Sequence, residues 1–396
     1  MNVKIIGLGA AGNKAALRAV SAHCVRENDV LLLNTAIQDI AAEYKDRSIL
    51  FNKNGTGGCG KERSRSKELI TDALQNGSMD AQLSKFIDPG DLVVIVTSTE
   101  GGTGSGAAPI LAAYINEVIG VRPQLICFTG TEDDLRGLQN TADFFKDVAN
   151  MCDTLMVQAI SNKKFLDKAN GNKLKAEIMA NDEFVLRIKV LQAAMIRESD
   201  QNIDAMDHLK LVTTPGYMSI VSYEDTGSID TTEQFDKICV DMLNTSKSLP
   251  TSGTSMLRLG VIMTIADDDK DHIDWSFKKI KSAFEDVGEV FLHVQKTTDE
   301  TRQIILIMSG LEMPLNFVMS TYEKFKARSE KMAAKSTNFL SRMGAIDTND
   351  DMLNINSNNT AGNKASFFNK IGTGNNGTSE KGSFKNTKKE DPISNM

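Results

Sequence analysis

Short apolar runs alternate with amphipathic stretches through the first half of the chain. The runs read as strands at about 2–7, 29–34, 91–97, 123–129 and 153–159, and the amphipathic stretches as helices at about 12–24, 60–76, 104–120, 134–150 and 162–170. Near-continuous apolar strands separated by helices predict an α/β fold, with a mostly parallel sheet covered on both faces. A long helical pattern follows at 177–200, with Ile178, Val185, Leu186, Ile188, Leu191, Ala194 and Met195 on its apolar side. After an irregular loop and a short helix near 204–211 comes a smaller α+β region, its clearest strands at 257–266, 287–296 and 302–309. Pro314 opens a long basic helix to about Met343, carrying Lys324, Lys326, Arg328, Lys331 and Lys335.

The pattern divides the chain into 1–176, a central helix 177–200, an α+β domain 201–312, a C-terminal helix 313–343 and a tail 344–396. The tail holds eleven asparagines, many Gly, Ser and Thr, and only scattered Phe and Ile, so it is expected to stay disordered.

Composition narrows the classes. At 396 residues, 41% hydrophobic and 24% charged, the chain has the make-up of a soluble globular protein with room for two cores. It contains no apolar run of 18 residues, and its start reads straight into a strand; neither membrane insertion nor a signal peptide is expected. Lys and Arg number 45 against 52 Asp and Glu, a net charge of −7, so direct DNA binding by the surface at large is not expected. Five scattered cysteines without a CxxC predict reduced thiols in the cytoplasm. Four histidines without ligand spacing leave no residue assigned to a metal.

The chemistry begins at Glu100-Gly101-Gly102-Thr103-Gly104-Ser105-Gly106, which follows the apolar run Leu92–Val96 and leads into a helix. Glycines let a ligand approach the backbone, Thr103 and Ser105 offer hydroxyls, and the helix start presents unpaired amides with partial positive charge. The arrangement suits a phosphate, although a plain tight turn would use the same residues. Two other glycine-rich stretches fail as familiar motifs. Gly7-Leu8-Gly9-Ala10-Ala11-Gly12 is a literal GxGxxG, but the second strand ends in Asn34-Thr35-Ala36 instead of the acid a dinucleotide's ribose needs. Gly55–Lys61 imitates a Walker loop, but Glu62 stands where Ser or Thr would hold Mg²⁺.

Taken together, the three loops resemble those of the tubulin/FtsZ superfamily of polymerising GTPases. The run at 100–106 is similar to its Gly-Gly-Gly-Thr-Gly-(Ser/Thr)-Gly signature, with Glu100 in place of the first glycine. Asn34-Thr35-Ala36-Ile37-Gln38 resembles its Asn-Thr-Asp-Ala-Gln loop, with Ala36 for Asp, and Asn54–Gly58 resembles its next glycine loop. The resemblance covers about 2–310. It implies GTP or GDP with Mg²⁺, held by Gly9, Ala10, Ala11, Asn13, Gly57, Gly58, Gly101, Gly102, Thr103, Gly104, Ser105 and Gly106. Glu132 and Arg136 have the spacing of the family's ribose carboxylate and its guanidinium, though an i, i+4 surface ion pair has that spacing too. Asn162 and Asn181 match the family's asparagines near the nucleotide, Asn181 being the one that reads the guanine edge.

A second match lies at Asn202-Ile203-Asp204-Ala205-Met206-Asp207. It resembles the family's Asn-x-Asp-x-x-Asp catalytic loop, which implies catalytic roles for Asn202, Asp204 and Asp207; helix capping by Asp204 is the plainer alternative. A helix of about 24 residues spans roughly 36 Å, so these acids stand far from the phosphate loops of their own chain. The family solves this by stacking subunits head to tail, one subunit's acids completing the site of the next. The resemblance therefore implies a filament whose assembly switches on GTP hydrolysis. The long basic helix is more similar to plasmid and phage TubZ-type members, which points to segregation of extrachromosomal DNA through an adaptor bound at the helix or tail. An FtsZ-type cell-division ring protein and a non-polymerising GTP-binding regulator are the alternatives.

Overall fold

The computed structural model describes residues 2–52, 57–151, 153–192, 203–297 and 301–342. Asn54–Thr56, Asn202, the end of the expected central helix at 193–200 and the tail lie outside the described residues.

The chain opens with β1 (Val3–Leu8), α1 (Gly9–Ser21), β2 (Val30–Asn34) and a short β3 (Ser48–Leu50). There follow α2 (Arg63–Gln75), α3 (Asp80–Phe86), β4 (Leu92–Ser98), α4 (Thr103–Tyr114), β5 (Gln124–Thr129), α5 (Leu135–Ala149), β6 (Met156–Ser161) and α6 (Asn162–Lys168). The long α7 (Lys173–Leu191) leads to α8 (Ala205–Val212), β7 (Gly216–Asp225), α9 (Thr232–Asn244), β8 (Ser255–Ile265), α10 (Lys278–Lys281), β9 (Asp286–Lys296), β10 (Arg302–Leu311) and α11 (Leu315–Arg342).

The ten strands among the described residues form one sheet in the order β3-β2-β1-β4-β5-β6-β7-β10-β8-β9. Strands β3 through β7 in that order run parallel; β10 is antiparallel to both β7 and β8, and β9 is parallel to β8. The central strands are buried on both faces, as Val93 to Val96 and Leu125 to Cys127 are fully covered, which is why they read as continuous apolar runs. One core cluster joins Ile5, Val94 and Ile126 of the sheet to Ala15 and Ala16 of α1 and to Phe184 and Ile188 of α7.

Several elements differ from the expectation. α7 begins at Lys173, because the Asn172 side chain accepts the Lys175 amide and caps it. The expected helix 104–120 loosens into a π-type turn at Ile115–Ile119 that closes at Gly120, φ 79°. β3, β7 and α9 were not expected. β7 carries Ser219 and Ser222 among its apolar residues and is held in the sheet by its register with β10.

Candidate functional site

β1, β2, β4, β5 and β6 are neighbours in parallel, so their carboxyl ends form one edge of the sheet. Gly9–Asn13 follows β1 there, and Glu100–Gly102 follows β4. The two loops are packed backbone to backbone. Gly9 has a left-handed φ of 75°, and a Cβ on Gly12 would stand 2.1 Å from Val96 O. One on Gly104 would stand 2.0 Å from Thr97 Oγ1, and one on Gly102 2.8 Å from Glu62 N. Those glycines are explained by the fold itself. Gly57, Gly58 and Gly101 are not: a Cβ there would meet nothing within 4 Å among the described residues, and none has a positive φ. What they offer is open space beside bare backbone.

Buried polar groups tie the loops together behind that space. Thr35 Oγ1 and Thr103 Oγ1 share a 2.8 Å hydrogen bond, and Ser66 Oγ donates to Thr103 O at 2.6 Å. Ser105 Oγ donates back to Gly101 O. The N-terminus of α4 has no side-chain cap, so its first amides keep the capacity to bind an anion. Asn13 is buried, yet among the described residues neither its amide oxygen nor its amide nitrogen has a partner. A buried amide rarely stays unpaired in a folded protein, and a bound polar ligand would satisfy it.

Two residues hold the loops in place without having announced themselves in the sequence. Asn140 of α5 donates to Lys61 O and to Glu100 O, both at 2.9 Å. Buried Arg63 donates to Ser105 O at 3.0 Å while its other contact is Asp147, at 2.6 Å. Neither lies in a motif; only their position on the inner faces of α5 and α2 marks them.

Glu100, which replaces a glycine of the resembled signature, folds away from the loop. Its Oε1 accepts the Thr131 amide at 3.1 Å, and burial, reinforced by the Asp134 carboxylate, pushes its carboxyl above the usual range. Glu132 and Arg136 do not pair with each other. Asp134 caps α5 by accepting the Gly137 amide at 2.8 Å, so Glu132 lies ahead of the helix, in the left-handed region at φ 67°. Its carboxylate meets Lys324 of α11 at 2.7 Å. Arg136 donates to Gln139 at 3.0 Å and stands 3.9 Å from Glu62.

Asn162 is the first residue of α6, at the carboxyl end of β6. Asn181 lies on α7, half-buried, along a seam with α1 fastened by Lys14–Glu177 at 2.6 Å and Arg18–Asp182 at 2.8 Å. The ascending order of these pairs sets the two helices side by side in the same direction, so the starts of both lie toward the glycine loops.

The acids at 204 and 207 are elsewhere. Gln124, at the amino end of β5, donates to Val212 O of α8 at 3.0 Å, and β7 joins β6 at Met156 and Val157, again its amino end. α8 therefore lies at the sheet edge opposite the glycine loops. Asp204 is the N-cap of α8 and accepts the Asp207 amide at 2.8 Å; Asp207 pairs with Lys210 at 3.1 Å. Between them Met206 is 62% exposed. Asn202 lies outside the described residues. Among the described residues there is no group of three His, Cys, Asp or Glu that would hold a metal, and no helix long and apolar enough to cross a membrane.

Residues 2–170 match the Tubulin/FtsZ family, GTPase domain. Over that segment the chain is similar to the family. Among curated proteins the chain is similar to cell division protein FtsZ 1 of Archaeoglobus fulgidus, 22% identical over 58% of this chain and 60% of that protein. It is also similar to FtsZ 1 of Thermococcus kodakarensis, 19% identical over 84% and 87%. The first of these matches thus spans less than two thirds of its relative's length. Among solved structures, a GTPγS-form protofilament of TubZ from Bacillus thuringiensis serovar israelensis has a TM-score of 0.72 at 16% identity, covering 87% of this chain and 94% of that one. The GTPγS-bound protofilament of CetZ2 from Haloferax volcanii has a TM-score of 0.64 at 16% identity, covering 83% and 100%. These likenesses establish a tubulin-like fold: a mostly parallel sheet flanked by helices.

Proposed function

We propose that this chain is a GTPase that polymerises head to tail, binding GTP at the glycine loops and hydrolysing it between subunits. The observation that carries the reading is the separation of two chemistries. Phosphate-type loops with open backbone at Gly57, Gly58 and Gly101 occupy one edge of the sheet, while Asp204 and Asp207 occupy the other. α7 between them has 19 residues, roughly 28 Å. Two such poles work on one nucleotide only when a second subunit brings its acids to the first subunit's loops, a heterologous contact that extends into a filament. Phosphoryl transfer needs chiefly positioning and charge stabilisation. In this reading Asn13, Thr103, Ser105 and the α4 amides hold the phosphates, Glu132 and Arg136 the ribose, and Asn162 and Asn181 the base. Asp207 and Asn202 of the neighbour orient the attacking water. Asp204 already spends one carboxylate oxygen on capping and keeps the acid pair in place. Mg²⁺ in this site would be held by the nucleotide's own phosphates and its waters.

The biological reading we favour is movement or segregation of extrachromosomal DNA, with an adaptor protein bound at the C-terminal helix or tail. The support is α11, 28 residues long and studded with Lys and Arg, together with the likeness to TubZ. A cell-division role is the second reading, favoured by the relatives named cell division proteins.

The test is phosphate release from GTP across a range of protein concentrations, with light scattering recorded in parallel. A specific rate that climbs steeply above a threshold, together with scattering, is expected. D207A should bind GTP, lose most hydrolysis and give over-stable polymers. A constant rate per molecule without scattering means a self-contained GTPase and removes the role given to Asp204 and Asp207.

A further inference from the structure

Glu100 is the chain's own departure from an otherwise glycine-led loop, and its side chain lies in one specific place. An added Cβ on Gly130 would stand 1.8 Å from Glu100 Oε1 and 2.2 Å from its Cγ, and one on Gly137 would stand 3.1 Å from the same oxygen. The carboxylate therefore occupies the volume that side chains at 130 and 137 would need. It is bonded there as well as packed, through the Thr131 amide at 3.1 Å. Its own carbonyl is held by Asn140 at 2.9 Å. Two residues beyond Gly130 stands Glu132, forced to φ 67°, a conformation that costs a non-glycine residue of order 1 kcal/mol and persists only when its surroundings impose it. Glu100, Glu132, Thr141, Phe317 and Thr321 also line a cavity of about 10 Å³, at the lower limit of what admits one water. Thr321 Oγ1 is buried there and, among the described residues, has no partner.

We propose that Glu100 is a positioning residue: its carboxylate ties the phosphate loop to the 130–134 turn and fixes the backbone that presents Glu132 to the nucleotide. With a glycine at 100 the two loops would be joined only through the Asn140 strap and the β4–β5 pairing; the glutamate adds a direct side-chain tie, with Gly130 and Gly137 as the small residues that give it room. The chain thus couples phosphate binding to ribose binding through a side chain that touches neither. The effect on nucleotide rests on the GTP-site reading above, whereas the steric tie does not.

The test has two parts, both on the full chain. In a thermal-denaturation cycle, G130A is expected to lower Tm by about 5 °C or more in the wild-type background, as an overpacked site does. In an E100G background the same change should cost no more than about 2 °C, and equal losses in both backgrounds mean that Glu100 does not fill the space over Gly130 and overturn the tie. In steady-state kinetics, E100A is expected to raise KM for GTP about tenfold with kcat changed less than threefold. E100Q, which keeps a carbonyl oxygen for the Thr131 amide, should return KM to within about twofold of wild type. A folded E100A with unchanged KM, or an E100Q as impaired as E100A, overturns the positioning role. A wild-type chain that binds no guanine nucleotide overturns the GTP reading and the ribose role with it, a result separable from either of these.

Discussion

Lys324 Nζ lies 2.7 Å from Glu132 Oε2, which joins the C-terminal helix to the turn proposed to carry the ribose. Arg328 extends the contact by donating to the carbonyls of Glu132 and Asp133, at 2.8 and 2.9 Å. A carboxylate already paired with an ammonium must share it or give it up when a ribose hydroxyl arrives. Both side chains reach solvent, so the pair contributes only ~0.2–1 kcal/mol. K324A is therefore expected to tighten nucleotide binding about two- to fivefold and to move Tm by no more than about 2 °C. Displacement of a fluorescent GDP analogue measures it. Unchanged affinity means that lysine and ribose do not compete for Glu132.

The glycines of the phosphate loop divide into those the fold needs and those it does not. G101A places its methyl in open space, so Tm is expected to hold while nucleotide affinity falls about tenfold, the ~1.4 kcal/mol of one displaced phosphate contact. G104A drives its methyl toward Thr97 Oγ1 and Leu8 O and should cost about 1–3 kcal/mol of stability. The two variants, melted and then titrated with GDP, separate a ligand contact from a packing contact. A destabilised G101A would contradict the division.

The sheet and its edge of glycine loops were legible in the sequence because central parallel strands leave unbroken apolar runs, and turns between them need glycine. Less legible were elements whose signal depends on partners. β7 pairs along its length with β10, some eighty residues away, and its serines hide the strand from any local reading. α9 is different: Phe235, Ile238, Cys239 and Met242 sit at helical spacing behind the cap Thr231, a signal that was there to be read. At the site, motif residues were visible as letters but not their partners. Glu132 and Arg136 have the spacing of a helical pair, but the helix expected at 134–150 starts between them, behind the Asp134 cap, so the spacing alone misleads. Asn140 and Arg63 belong to no motif, because a strap between loops is defined in three dimensions alone.

Arg187, four residues before the end of α7, is a fully buried guanidinium. It donates to Gln158 Oε1 at 3.0 Å, Ser248 Oγ at 2.9 Å and Glu183 Oε1 at 3.2 Å, binding the helix to β6 and to the loop before β8. R187A strands the Glu183 carboxylate and two further polar groups, so a loss of about 3–5 kcal/mol is expected. The double variant R187M/E183L removes both charges and keeps the volume, and should lose less than R187A. Urea unfolding of both variants decides it: an R187A within about 1 kcal/mol of wild type means that the buried pair contributes little.

His208 adjoins Asp207 and is buried, its Nε2 2.9 Å from Val190 O. Burial pulls its pKa below the ordinary value, against the smaller pull of the Val190 carbonyl toward the charged form. The sign follows from proton counting. Between the folded and unfolded pKa values the unfolded chain holds the extra proton, so the stability gained by keeping the ring neutral is complete above about pH 6.5. It is lost progressively as pH falls below that value, by at most ~1.4 kcal/mol per pH unit. Measured by urea unfolding at pH 7.5 and at pH 5.5, wild type is expected to exceed H208Q by about 1 kcal/mol at the higher pH, with the difference shrinking or reversing at the lower. Groups common to both proteins cancel in that difference, so a gap that does not change with pH would mean the ring is not held neutral. His208 adjoins Asp207, so in the filament reading hydrolysis should fall over the same pH interval before GDP affinity does.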